Sequence, residues 1–341
     1  MRVVVVGATG NVGTAVLRRL QQEDLELVGV VRQVPPADAG EPYAGVEWHA
    51  ADVSSAASVP ALAGAFAGAD AVVHLAWLLQ PNHDEVTMAA TNVDGLRNVL
   101  AAVEVARVPQ VVVASSVGAY SPGPKRRRVD ESWPTGGLHS SHYARHKAAN
   151  ERMLDRFEQE HPEVRVVRMR PGLVMQGQVG EELRALFAGP LVPVRWLGRI
   201  PLLVLPMPPR TVSQVVHASD LADAFARVVL QRADGAFNIA GEPVIGPKDL
   251  ATVLKARWVP VRIAPLRGLV WLLWHLRVIA TDPGWIDIAV SVPVMSTERA
   301  RRELGWAPAV DAVDALAEAV RGVADRTVVP GSPHLGGARK G

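Results

Sequence analysis

Four consecutive valines, Val3 to Val6, open the hydrophobic pattern of this chain, and glycines at 7, 10 and 13 follow at once. An unbroken β-branched run of that length predicts a strand covered on both faces, as in a parallel sheet. The pattern then takes a helical period over residues 11–22 and alternates thereafter. Strand-like runs at 27–31, 46–49, 71–75, 110–114 and 164–168 are separated by helical patterns at 54–66, 85–106 and 140–161. Strands joined by helices of this length pair in parallel through right-handed crossovers, so the expected fold is α/β with a doubly wound parallel sheet. After Pro171 the period is lost, and residues 189–210 mix Pro, Leu and Val. A strand-like TVSQVV, a helix at 220–231 and a strand AFNIA restore the earlier style. Residues 242–316 read as helical and carry Trp258, Trp271, Trp274, Trp285 and Trp306. The expectation is a nucleotide-binding domain from 1–172 plus 211–241. A smaller, mainly helical substrate lobe, built from 173–210 plus 242–326, would pack over the C-terminal ends of the strands. Residues 327–341 read as a disordered tail.

Chemistry first enters at the glycines. Gly7, Gly10 and Gly13 lie where the first strand turns into the first helix. They permit a tight turn, close approach of backbone to a pyrophosphate, and close helix-on-strand packing, while the helix aims its first amides at the phosphates. The spacing is GxxGxxG rather than the commoner GxGxxG, and a dinucleotide is the expected ligand. The second strand, LELVGVVRQ, ends at Arg32, with no Asp or Glu before Asp38. A carboxylate near that place would accept from the ribose 2′-hydroxyl of NAD, whereas a guanidinium grips the 2′-phosphate of NADP through two hydrogen bonds. NADP is therefore expected, with NAD as the alternative.

The second chemical signal is Tyr143 with Lys147, a Tyr-x-x-x-Lys pair in a chain with three tyrosines and five lysines. On a helix, i and i+4 share a face, so the ammonium can lie beside the phenol. A free phenol, with a pKa near ~10, is a poor proton donor or base at neutral pH. A fixed cation alongside favours the phenolate and draws that value toward the working range.

Composition narrows the classes. The net charge of +2 gives no reason to expect nucleic acid or a membrane surface as a partner. The cluster Lys125 to Arg128 sits in a Gly/Pro-rich loop and reads as solvated. Zero cysteines exclude disulfides and thiol chemistry, and no metal site is expected. The first strand begins at the N-terminus, so no signal peptide is expected and the cytoplasm is the expected location. The longest apolar stretch, 268–280, contains His275 and Arg277 and falls short of the ~20 residues that span a bilayer. Helices at 85–106 and 140–161 offer a four-helix face for a homodimer.

Ordered along the chain are GATGNVG (Gly7–Gly13), Asp52-Val53, HLAW (His74–Trp77), TNVDGLRNVL (Thr91–Leu100), ASSVGAY (Ala114–Tyr120), YARHK (Tyr143–Lys147), MRPGLV (Met169–Val174), HASDLADAF (His217–Phe225) and LGWAP (Leu304–Pro308). With these motifs the chain resembles the extended short-chain dehydrogenase/reductases, the NAD-dependent epimerase/dehydratase group, over nearly its whole length. The resemblance implies a Rossmann-type sheet with Thr9, Asn11 and Val12 beside the glycines on the cofactor. It implies Asp52 and Val53 around the adenine, Leu75, Ala76 and Trp77 beside the dinucleotide, and Pro171 on the nicotinamide carboxamide. Asn92 would support the active site. Ser116 would orient the reacting oxygen, with Ser115 the adjacent alternative; counting back from Tyr120 favours Ser116. Tyr143 would be the acid/base, and Lys147 its activator and ribose ligand. Leu78, Ser116, Gly172 and Leu173 would face a small-molecule substrate.

Two departures bear on that substrate. Nucleotide-sugar members commonly have a polar residue after RPG, where this chain has Leu173. They often carry an Arg four residues before the His of the HxxD segment, where this chain has Ser213. The substrate-facing loops read instead as Trp77-Leu78-Leu79, Trp196-Leu197, Leu202 to Leu205 and Met207. Such a wall suits an apolar carbonyl or alcohol, and hydride transfer to or from it is the expected activity. The alternative is an epimerase or dehydratase that keeps its NAD bound and acts on a sugar-like substrate. A non-catalytic dinucleotide sensor is a third reading, which an intact Ser116, Tyr143 and Lys147 argues against.

Overall fold

The structure is a computed structural model, and it describes residues 1–80, 83–187 and 202–332. Its centre is a seven-stranded sheet, parallel at every pairing, in the order β11-β7-β5-β4-β1-β2-β3. These strands are β1 (Arg2–Val6), β2 (Glu26–Val31), β3 (Glu47–Ala50), β4 (Ala71–His74), β5 (Gln110–Ala114), β7 (Arg165–Pro171) and β11 (Gly235–Ile239). The valine run explains why both faces must be covered. Val3 and Val5 enter the core beneath α1 (Asn11–Leu20) and α7 (Ala218–Leu230). Val4 and Val6 enter the opposite core, beneath α2 (Val59–Phe66), α4 (Gly95–Ala106) and α5 (His142–Glu160). Side chains alternate along a strand, so a strand with helices on both sides must be apolar at every position. Order reverses between β1 and β4, and such a switch point is where open α/β sheets bind ligands.

Outside this sheet the chain adds three two-stranded parallel ribbons. They pair β6 (Arg128–Val129) with β13 (Val294–Met295), β8 (Leu173–Met175) with β10 (Val215–His217), and β9 (Leu202–Met207) with β12 (Ala256–Pro260). Around them lie α6 (Gly180–Phe187), α8 (Pro247–Val253), α9 (Ile263–His275), α10 (Gly284–Ser291), α11 (Glu298–Leu304) and α12 (Ala312–Asp325).

Several elements differ from expectation. The helix expected over 85–106 is α3 (Glu85–Ala89), a π-helical turn at Ala90–Asp94, and then α4. Residues 242–316 are not helical throughout, because β12 and β13 lie within them. Thr327 to Ser332 do not form a loose tail. Val329 joins the main core, the Thr327 hydroxyl contacts Gly177 and Gly180, and the buried Ser332 hydroxyl donates to the Thr9 carbonyl (2.9 Å). Residues 333–341, Trp196, Leu197 and most of the irregular stretch at 189–210 lie outside the described residues.

Candidate active site

The C-terminal ends of β1, β4, β5 and β7 meet at one cleft, and each supplies a turn whose sequence is dictated by crowding. Gly7 has φ +82°, and a side chain there would stand 2.6 Å from the Ala76 amide. A Cβ on Gly13 would lie 2.3 Å from the Gly7 carbonyl oxygen. Gly10 is different: its nearest neighbour would be an ordinary 3.5 Å away. Nothing within the protein demands glycine at 10, so the space it leaves faces the cleft. That space, of about 280 Å³, is lined by Gly7, Thr9, Gly10, Arg32, Asp52 and Ala76 among others. The Thr9 hydroxyl and the Trp77 indole N–H are buried there without a partner. A backbone cradle, unpartnered donors and an exposed guanidinium at the rim fit a dinucleotide. Gly13 and Val12, on the first turn of α1, and Asn11 line the adjoining pocket. The Asp52 carboxylate is held by the Ser54 amide (3.0 Å) and hydroxyl (2.7 Å).

That adjoining pocket, about 250 Å³, brings together Ser116, Tyr143, Lys147, Pro171, Gly172 and Leu173. Ser141 caps α5 by accepting from the Ala144 amide (3.3 Å), which places Tyr143 in the first turn and Lys147 one turn later. The Ser116 hydroxyl shares this pocket with the phenol, and its oxygen accepts from the Gly118 amide (3.0 Å). Ser115 points the other way and donates to Glu151 (2.5 Å), so the geometry selects Ser116. Glu151 in turn is clasped by Arg170 (2.8 and 2.9 Å), with Arg168 at 3.5 Å.

Lys147 corrects a sequence-based expectation. Helical spacing alone puts its ammonium against the phenol. In the structure the ammonium donates to the Ala114 carbonyl (2.7 Å) and sits 3.5 Å from the centre of the Trp77 ring, while the Tyr143 ring centre is 5.9 Å away. A buried ammonium gains more from a carbonyl and an indole face than from a neutral phenol. Burial pushes the Tyr143 phenol up to about 12, against the lowering influence of the neighbouring Ser116 hydroxyl. Burial likewise pulls Lys147 down to about 7, against the nearby Glu151 carboxylate. The phenol therefore stands above its ordinary value, not below it.

Asn92 does not face the reacting centre. It lies in the π turn, where its side chain accepts from the Leu78 amide (2.7 Å) and donates to the Leu78 carbonyl (2.9 Å). Asn150 donates to the Asn92 carbonyl (2.8 Å), tying this turn to α5. Asn92 thus fixes the Trp77-Leu78 segment, which lines the first cleft. Gly172 answers to packing, since a side chain would stand 2.4 Å from the Gln214 carbonyl.

Some contributors escape sequence reasoning. Gly118 seats the Tyr143 ring, because a Cβ there would lie 2.7 Å from it. Trp285 stacks obliquely on Tyr143 with centroids 5.0 Å apart. Asn150 and Glu151 fall three and four residues past Lys147, a helical continuation of the Tyr-x-x-x-Lys face that could have flagged them. Lys125 leaves the expected solvated loop to donate to the Val212 carbonyl (2.7 Å), and burial pulls it down to about 7.

Beyond Leu173, Val117, Trp285 and Ile288 opens a further cavity of about 520 Å³, lined chiefly by aliphatic side chains. Ser213 is on its wall, but its backbone is engaged with Ile245. Gln214 spends its amide on the Met295 backbone (2.6 and 3.1 Å). No group of metal-ligating side chains occurs among the described residues, and none of their helices is long and apolar enough to cross a membrane.

A glycine turn at the switch point of a parallel sheet, faced by serine, tyrosine and lysine, defines the extended short-chain dehydrogenase/reductase class. The chain belongs to the NAD-dependent epimerase/dehydratase family, whose model matches residues 3–240. Uncharacterized proteins of Mycobacterium tuberculosis and Mycobacterium bovis are each 26% identical over 330 residues, covering 94% of this chain. The chain spans 30% of the length of these relatives. Among solved structures, UDP-glucose 4-epimerase of Thermus thermophilus, in complex with NAD, superposes with a TM-score of 0.67 at 21% identity, over 94% of this chain and 99% of that one. The dTDP-glucose 4,6-dehydratase DesIV of Streptomyces venezuelae gives 0.66 at 20%, over 95% and 97%.

Proposed function

We propose that this protein transfers a hydride between a nicotinamide dinucleotide and the carbonyl or alcohol carbon of an apolar small molecule. The reading rests on one juxtaposition: Ser116 and Tyr143 stand between the glycine cleft and the aliphatic cavity behind Leu173. The dinucleotide would be held by Gly7 to Gly13, Arg32, Asp52-Val53, Leu75 to Trp77, Lys147 and Pro171, and when bound it gives or takes the hydride. Ser116 holds the substrate oxygen in line, and Tyr143 delivers or removes its proton. Arg32, followed along the chain by no Asp or Glu before Asp38, supports NADP over NAD; the NAD bound in the two relatives supports the alternative. The cytoplasm is the proposed location, and a homodimer through the helical segments at 85–106 and 140–161 is the proposed assembly.

A second reading has its own support. The two solved structures compared above are a UDP-glucose 4-epimerase and a dTDP-glucose 4,6-dehydratase, so an epimerase or dehydratase that returns the hydride to the same substrate fits the family. Against it stand the aliphatic wall, Leu173 and Ser213, which offer a diphosphate no cation. A panel of hydrophobic ketones, secondary alcohols and UDP-, GDP- and dTDP-sugars, assayed for net change in nicotinamide absorbance and for product, separates the two. Net cofactor turnover with an apolar compound is the expected result. Conversion of a sugar nucleotide without net turnover would overturn it.

A further inference from the structure

Helix α9, IAPLRGLVWLLWH, has no buried residue along its length, although nine of its thirteen positions are Ile, Ala, Leu, Val or Trp. Its outward arc carries Leu269 (53% exposed), Trp271 (49%), Leu272 (48%) and, just past its end, Leu276 (63%), with Ala264, Pro265 and Gly268 between them. The spacing 269, 272, 276 is that of one helical face, so these side chains form a continuous apolar stripe turned to solvent. The inward arc is anchored: Arg267 pairs with Asp287 (2.9 Å), and the Trp274 ring stacks on His83 with centroids 4.4 Å apart. The helix is therefore held in place with its apolar side out. A contiguous patch of this kind marks a contact surface.

The charges around it identify the contact. From residue 250 to residue 281 there is no Asp or Glu, while Lys255, Arg257, Arg262, Arg267 and Arg277 are present. Lys255, Arg257, Arg262 and Arg277 are exposed, and none has an ion pair among the described residues. Arg262 precedes the helix and Arg277 follows it, so cations bracket the apolar stripe at both ends. A second copy docking through this stripe by a two-fold axis would set these cations against their own kind. An anionic bilayer matches both features at once, since acyl chains accept the leucines, the interface accepts Trp271, and headgroup phosphates accept the guanidinia.

We infer that α9 is an interfacial helix by which this protein docks, without spanning, on an anionic lipid surface. The position suits an apolar substrate. The β9–β12 ribbon, α8 and α10 flank α9 in sequence, and Met207, Leu254 and Trp285 on or beside them line the aliphatic cavity. The docking does not depend on which molecule is turned over.

The test uses the full chain and sedimentation with vesicles, either pure phosphatidylcholine or phosphatidylcholine mixed with phosphatidylglycerol. Binding should favour the phosphatidylglycerol vesicles and weaken with added salt. The exposed double variant Leu269→Glu/Leu272→Glu should lose binding by about ten-fold or more while dinucleotide affinity is unchanged. Arg262→Glu/Arg277→Glu should lose the preference for anionic lipid. Wild-type protein that stays in the supernatant, or vesicle binding indifferent to either double variant, would overturn the inference. So would a solution dimer that Leu269→Glu/Leu272→Glu dissociates while wild type ignores vesicles, which would assign the stripe to a second copy.

Discussion

Tyr143 carries the proposed chemistry in a setting that works against its ionisation. Burial raises the phenol to about 12, so at neutral pH it is a proton donor beside Ser116. Tyr143→Phe removes one hydroxyl and should lower turnover by roughly 100-fold or more, the range of a general acid–base group, with dinucleotide affinity retained. Steady-state kinetics beside a binding titration checks this, and near-native turnover in the variant would sink the mechanism. Lys147 supports a prediction with a definite sign. Its folded value near 7 lies below the ordinary 10.5, so between those limits the unfolded chain holds more protons than the folded one. Stability should therefore rise as pH climbs from 7 toward 10.5 and be lost again as pH falls back to 7, where this group's contribution levels off. Lys125 shares this direction, so Lys147→Met should flatten the rise without abolishing it. Melting temperatures measured from pH 7 to 9 on both proteins decide the point. The two serines show what residue order leaves open. Adjacent residues at a strand end point to opposite sides, and only the position of Glu151 reveals that Ser115 is the inward one.

At the scale of elements, α5 joins catalysis to stability. The face that carries Tyr143 and Lys147 continues to Asn150 and Glu151, and Glu151 is the buried counter-charge of Arg170. Removing one partner of a buried ion pair strands the other, so Glu151→Ala should cost about 3–5 kcal/mol, read by denaturant unfolding. The π turn is a second such junction. Asn92→Ala leaves the Leu78 amide and carbonyl without partners and should cost about 1–3 kcal/mol, while also weakening dinucleotide binding. The strands β1, β2, β4, β5 and β7 are legible in sequence because each carries its signature locally, a run of two or more valines. The π turn is not, since ATNVD contains no glycine or proline to mark a break. Its cause is the pair of hydrogen bonds to Leu78, fourteen residues away. β12 escapes for the same reason: its pairing partner, β9, lies some fifty residues earlier, in a stretch without period.

For the whole molecule, the switch point between β1 and β4 sets where the cleft lies, and Arg32 at its rim is the proposed selector between cofactors. Arg32→Asp should reverse the preference between NADP and NAD, as dissociation constants on both proteins would show. A wild type that binds NAD more tightly would remove Arg32 from that role. Nearly the entire sheet and most of the residues around the cleft follow from periodicity and motif order. The aliphatic cavity does not, because its lining comes from segments scattered between Val117 and Val323 that only folding brings together.

The strap from Thr327 to Ser332 carries a practical consequence for labelling. Ser332 is bonded to Thr9, so residue 332 rests on the turn that cradles the dinucleotide. A fluorophore placed at residue 332 would press on that turn and should disturb titrations of the cleft. Met1 leads into the opposite end of β1, five residues or ~17 Å along the strand, at the N-terminal ends of the parallel strands. Attachment there keeps titrations of the cleft free of the attached group, whereas the same group at residue 332 would report on itself.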